Sequence, residues 1–195
     1  APPIPGEKIN EPVFGLPAVW IDDAMKENAA IQGYTVVDAA TVLTTHFTEL
    51  VKENMAELLT FASVKQLIED LPKAQGALVN DITPGQITVS GIQRVLQNLL
   101  RERISVRDFG SILEAIAEAT SASTDLLTVT EHVRTRLARQ LCNAHLDASG
   151  ALPIVALSPN WEQAFAEALV GQGADRQLAL EPSRLHQFVG DLRNA

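Results

Sequence analysis

Ile92, Val95, Leu96, Leu99 and Leu100 recur at i, i+3, i+4, i+7 and i+8, with Gln93, Arg94, Gln97, Asn98 and Arg101 between them. On a helix of 3.6 residues per turn this spacing draws one apolar stripe and one polar face. A second stripe follows at Val106, Phe109, Ile112, Leu113 and Ile116, and Ser105 with Asp108 three residues on predicts its start as a capping box in its Asp variant. The connection is too short for the two helices to fold apart. The pattern therefore predicts a packed helical pair over 91–118.

Helical patterning extends on both sides. Asp38 is placed to cap a long helix carrying Val42, Leu43, His46, Leu50, Met55, Leu58 and Leu59. Another helix is expected from Ser63 to Leu71, stopped by Pro72. Residues 78–84 read as a connector, and Ser90 as the cap of the helix that follows. After Glu118 the stretch ATSASTDLLT reads as a loop. Thr128 with Glu131 forms another capping box before Val129, Val133, Leu137 and Leu141.

The two ends alternate differently. AVWI (Ala18–Ile21) and YTVV (Tyr34–Val37) read as strands by β-propensity, with a helix between them ended by Gly33. Val36 and Val37 are expected in the sheet core, and Tyr34 and Thr35 near its edge. Beyond His145, LPIVAL (Leu152–Leu157) reads as a strand. Ser158-Pro159 opens a helix from Asn160 to Val170, Gln177–Leu180 is a second strand, and Pro182 begins a last helix. The fold class is thus α+β and predominantly helical, a helical bundle middle domain with flanking small α/β elements. Its expected divisions are 1–38, 39–146 and 147–195. Strands without enough partners at both ends suggest a piece of a longer chain.

Charge adds a partition. The net charge is −9, yet the first 90 residues hold five lysines against twelve acids, and residues 91–139 hold seven arginines against six acids. Every lysine precedes Ala74, and every arginine lies at or after Arg94. An acidic chain repels a phosphate backbone, which counts against nucleic-acid binding. A near-neutral segment using only the rigid guanidinium fork suits contact with an acidic neighbour, including another copy of the chain. No apolar run reaches the roughly 20 residues a membrane-spanning helix needs.

Read as words, QRVLQNLLRERISVRDFGSILEAIAE and TEHVRTRLARQ, preceded by PVFGLPAVWI and GYTVVDAATVLTTHFTEL, resemble the cytoplasmic part of the FlhA/SctV family in the same order. The wording of GYTVVDAATVLTTH is closer to the flagellar branch. That family comprises the large membrane components of flagellar and virulence type III export gates. The resemblance implies a non-enzymatic docking and ring-forming platform at the cytoplasmic side of the bacterial inner membrane, anchored through an N-terminal half outside this chain. It implies three kinds of partner: other copies in a ring, typically of nine; export chaperones with their cargo; and the export ATPase complex. By position, Tyr34, Thr35 and Asp38 fall in the motif associated with chaperone docking, with the opposite wall of that cleft expected upstream. Arg94, Arg101, Arg103 and Arg107 are the candidate subunit contacts.

Candidate chemistry is sparse. His46, His132, His145 and His186 form no pair at metal-binding spacing, and neither Ser111 nor Ser149 lies in a nucleophile elbow. There is no Walker A or dinucleotide fingerprint, and no cofactor is expected. The lone Cys142 excludes an intrachain disulfide and is expected to be a small buried residue of its helix. The alternative reading is a helix-turn-helix-type DNA-binding regulator built on the pair at 93–119, with its arginine-bearing polar faces.

Overall fold

The computed structural model describes residues 3–171 and 177–194. It opens with an antiparallel hairpin, β1 (Glu7–Asn10) and β2 (Pro17–Trp20), with Glu7 opposite Trp20 and Asn10 opposite Pro17. A single 3-10 turn (Asp23–Met25) leads into α1 (Lys26–Ile31), and α2 (Ala39–Glu53) and α3 (Met55–Leu58) follow. The helical middle continues with α4 (Phe61–Glu69), α5 (Lys73–Ile82), α6 (Val89–Arg101), α7 (Phe109–Thr120), α8 (Leu126–Arg136) and α9 (Ala138–Ala144). The last elements are α10 (Pro159–Ala168), a second antiparallel pair of β3 (Leu169–Val170) and β4 (Gln177–Leu178), and α11 (Pro182–Arg193).

The core is the one the helical period draws. Ile92, Val95, Leu96 and Leu99 of α6 and Ile112, Leu113 and Ile116 of α7 have no exposed surface. Helix α6 packs on α3, α4 and α8, and α7 packs on α5 and α8. Each such side chain contributes about 1.5–3 kcal/mol when fully buried, and Val64 of α4 and Val129 and Val133 of α8 complete the same core. Polar seams set the register: the Asn98 amide donates to the Thr130 hydroxyl at 3.3 Å, and the Thr120 hydroxyl donates to the Gln86 side chain at 3.0 Å.

Helix starts fall on different residues from those expected. Thr88, not Ser90, caps α6 by accepting from the Gly91 N–H at 3.0 Å. Asp108 is itself the cap of α7, accepting from Ser111, so Ser105 and Val106 precede that helix. Asp125 caps α8, and Thr128 donates to it through both its N–H and its hydroxyl. Each helix begins where a short acceptor can reach the orphan N–H groups of its first turn. Residues 78–82, read as connector, are the second half of α5, which buries Val79 and Ile82.

The strand expectations change more. Among the described residues, the segment 34–37 takes no strand conformation, and Val37 is 53% exposed rather than in a sheet core. Among the described residues, the segment 152–157 also takes no strand conformation, and Ile154 is 78% exposed. The partner of Pro17–Trp20 is Glu7–Asn10, a segment with no apolar alternation to mark it. Leu169 and Val170, read as the end of a helix, pair with Leu178 and Gln177. Cys142 is exposed on α9 rather than buried. Helices α10 and α11 meet through Trp161, Phe165 and Phe188, with Phe165 and Phe188 edge to face at 4.9 Å, and Arg184 lies over the Trp161 ring at 4.9 Å. Among the described residues, no helix is long and apolar enough to cross a membrane.

Candidate functional site

The turn after α1 places Tyr34. Gly33 takes φ +86°, a left-handed conformation that suits glycine, and its N–H donates to the Ala30 carbonyl at 3.0 Å. The Tyr34 N–H then donates to Ala29 at 3.1 Å, which completes a Schellman closure. Tyr34 is thereby folded back under the end of α1, half-buried, and Thr35 stands exposed beside it. Four residues on from Tyr34, Asp38 accepts from the Thr41 N–H at 2.7 Å and starts α2. That N–H and the Thr41 hydroxyl hold the Asp38 carboxyl below its ordinary range, with Lys26 adding to the effect.

The opposite wall is the hairpin. Glu11 closes its loop by accepting from the N–H groups of Val13 at 2.8 Å, Phe14 at 2.6 Å and Leu16 at 3.4 Å. Burial alone would raise the Glu11 carboxyl. The three N–H groups and the field of His46 on α2 outweigh it and hold it below its ordinary value. The closed loop leaves Phe14 70% exposed.

Between the hairpin and the 32–45 segment lies a groove of about 840 Å³. Phe14, Trp20, Tyr34, Val36 and Val42 supply apolar and aromatic surface, and Thr35 and Asp38 stand along it. Its walls are mostly apolar. The structure therefore brings Tyr34, Thr35 and Asp38 together on one groove. Both walls of this groove come from residues 4–45. Phe14 and Trp20 were missed as site residues. Their signal was two aromatics in a Gly/Pro-bounded segment, PVFGLPAVW, too short to bury both.

The four arginines are elsewhere. Arg94 and Arg101 sit seven residues apart on one face of α6, Arg103 follows the end of that helix, and Arg107 lies in the link to α7. All four are exposed, and none lines the groove. Arg101 donates to the Asn98 side chain at 2.9 Å, and among the described residues none of the four is in an ion pair. Arg134 is the contrast. Its guanidinium is held between Glu131 on its own helix and Glu102 at the end of α6, at 2.6 Å from Glu102, and both carboxylates favour its charged form. Among the described residues, no group of three or more His, Cys, Asp or Glu could hold a metal ion.

The pattern of the FHIPEP family matches residues 1–195. The chain belongs to the FHIPEP family. The flagellar biosynthesis protein FlhA of Caulobacter vibrioides is 56% identical to this FHIPEP chain over 192 residues, covering 98% of the chain and 27% of that protein. The chain thus spans about a quarter of the length of the curated relatives it matches. Among solved structures, the Chlamydia pneumoniae CdsV protein aligns with 96% of the chain and 55% of its own, at a TM-score of 0.81 and 23% identity. The nonameric SctV-C of EPEC aligns with 88% of the chain and 53% of its own, at 0.69 and 24%. Both are likenesses of fold.

Proposed function

We propose that this FHIPEP chain is part of the cytoplasmic portion of a type III protein export gate of the flagellar branch. Its role is docking and assembly rather than catalysis. The observation that carries the reading is the groove in which Tyr34, Thr35 and Asp38 converge opposite the hairpin. An apolar cleft with exposed aromatic rims is a peptide- or protein-recognition surface, where a few aromatic anchors supply most of the affinity. Its occupants in this reading are export chaperones carrying cargo.

Assembly falls to the helical domain, 39–146, flanked by the 1–38 and 147–195 units. Arg94, Arg101, Arg103 and Arg107 offer charge that no carboxylate of the described residues takes up, as a contact to a neighbouring copy would require. The nonameric state of the EPEC relative supports a ring of like copies. The export ATPase complex is a further partner, and membrane attachment lies with polypeptide outside this span. Rim ion pairs are worth about 0–1 kcal/mol each, so the chain by itself is expected to be mainly monomeric. Membrane tethering supplies the effective concentration for the ring.

The test titrates export chaperones against the chain and against Tyr34→Ala and Thr35→Ala, with melting curves recorded in parallel. Affinity falling by about 1–2 kcal/mol without a change in melting supports docking. Unchanged affinity returns both residues to a structural role. Reversal of all four arginines in the full-length protein is expected to abolish the ring, and an intact ring would refute the contact.

A further inference from the structure

The groove's charges are not spread evenly along it. Glu11 stands at the loop end of the hairpin, and Asp22 and Asp23 stand just past the other end of β2. Asp38 lies on the facing wall, and the single lysine or arginine among the lining residues is Lys26, whose field already acts on Asp38. Four carboxylates against one ammonium, with His46 acting on Glu11 from α2, leave the lining net negative among mostly apolar residues. The acids flank β2 in sequence, Glu11 before it and Asp22 and Asp23 after it, and its four residues span about 13 Å at about 3.3 Å per residue.

We infer that the groove selects a short apolar peptide segment carrying lysine or arginine at both ends, the apolar residues entering between the hairpin and α2 and the cations meeting Glu11 at one end and Asp22 and Asp23 at the other. This rests on the docking reading and names the chemistry of its occupant. An apolar cleft alone binds many greasy segments, and charges placed at its ends add discrimination and register. Asp22 and Asp38 spend one oxygen each on a cap, at Ala24 and Thr41, yet keep their negative charge for an incoming cation. Segments flanked by glutamate or aspartate meet like charge at both ends and are rejected.

The test uses the 195-residue chain and two labelled synthetic peptides that share an apolar core and differ only in flanking lysines or flanking glutamates, read by fluorescence anisotropy. At low salt the lysine-flanked peptide is expected to bind at least tenfold more tightly, and the difference to shrink at high salt as exposed charges are screened. Asp22→Asn with Asp23→Asn keeps the cap acceptor and is expected to cut that preference severalfold. Lys26→Glu is expected to raise it. Val37→Asn, at an exposed position of the wall, is expected to weaken both peptides alike. Equal binding of the two peptides, a preference untouched by the double Asn variant, or insensitivity to Val37→Asn would overturn the inference. Chaperones that bind the wild type and the double Asn variant equally would also overturn it while docking stands. A lysine preference without any chaperone binding would sustain the charge rule and overturn docking.

Discussion

The side-chain amide of Gln97 on α6 donates to the main-chain carbonyl of Ala56 on α3, 3.0 Å away. Helix α3 has only four residues, so its last carbonyls have no partner within the helix. Gln97 also reaches the Leu59 carbonyl at 3.2 Å, and Gln93 reaches the same oxygen at 2.9 Å. Two glutamines on the polar side of α6 thus cap a neighbouring helix and join the end of α2–α3 to the bundle.

Removing that cap strands a carbonyl at a buried alanine. Gln97→Ala is expected to cost about 1–3 kcal/mol in urea unfolding, the penalty for an unsatisfied buried acceptor. Gln93→Ala is expected to cost less, because Gln97 still serves Leu59. Equal losses from the two variants would show that Ala56 finds another donor.

Arg103 holds φ +59° directly after α6, with its N–H donating to Leu100 and that of Ile104 to Leu99, both at 2.9 Å. This is a Schellman closure with arginine where glycine is favoured. The left-handed conformation costs a side-chain-bearing residue about 1–2 kcal/mol, partly offset by the extra entropy glycine loses on folding. Arg103→Gly is therefore expected to leave stability unchanged or to raise it by up to about 1 kcal/mol. Ring assembly of the full-length protein is expected to weaken at the same time. A clear loss of stability would show that the arginine side chain supports the fold itself.

Glu11 and Asp38 both titrate below their ordinary values of 4.5 and 3.8 in the folded chain. Between the folded and unfolded values the unfolded chain binds more protons, so stability rises with pH there. The contribution is fully present above about pH 5 and is lost as the pH falls through the lowered values. Asparagine keeps the cap acceptor but cannot titrate, so Asp38→Asn is expected to lose the charge-linked part of neutral stability and to flatten the acid limb. Urea midpoints across that range check both slopes.

Cys142 is exposed on α9, so a thiol-specific chromogenic reagent is expected to modify the single cysteine in the native chain without denaturant. Protection until unfolding would place α9 against a surface the described contacts do not contain.

Helices were legible because their hydrogen bonds and their periodicity are local. The stripes of Ile92 to Leu100 and of Val106 to Ile116 needed only the 3.6-residue repeat to be found, and every residue of both is buried except Val106, which is half-buried. Caps were legible only to within a few residues, since several Ser, Thr and Asp side chains compete near each start and the winner depends on backbone geometry. Strands were not legible in the same way. A strand is defined by a partner elsewhere in the chain, so 34–37 and 152–157 carry β-propensity yet form no strand among the described residues, while Glu7–Asn10 pairs without an alternating pattern. The candidate site divides likewise. The sequence by itself determined the bundle, the arginine-only middle and the motif holding Tyr34, Thr35 and Asp38. Only the tertiary structure decided that Phe14 and Trp20 face that motif across one groove, because the pairing of β1 with β2 and the closure of the Glu11 loop are non-local or geometric facts that no periodicity encodes.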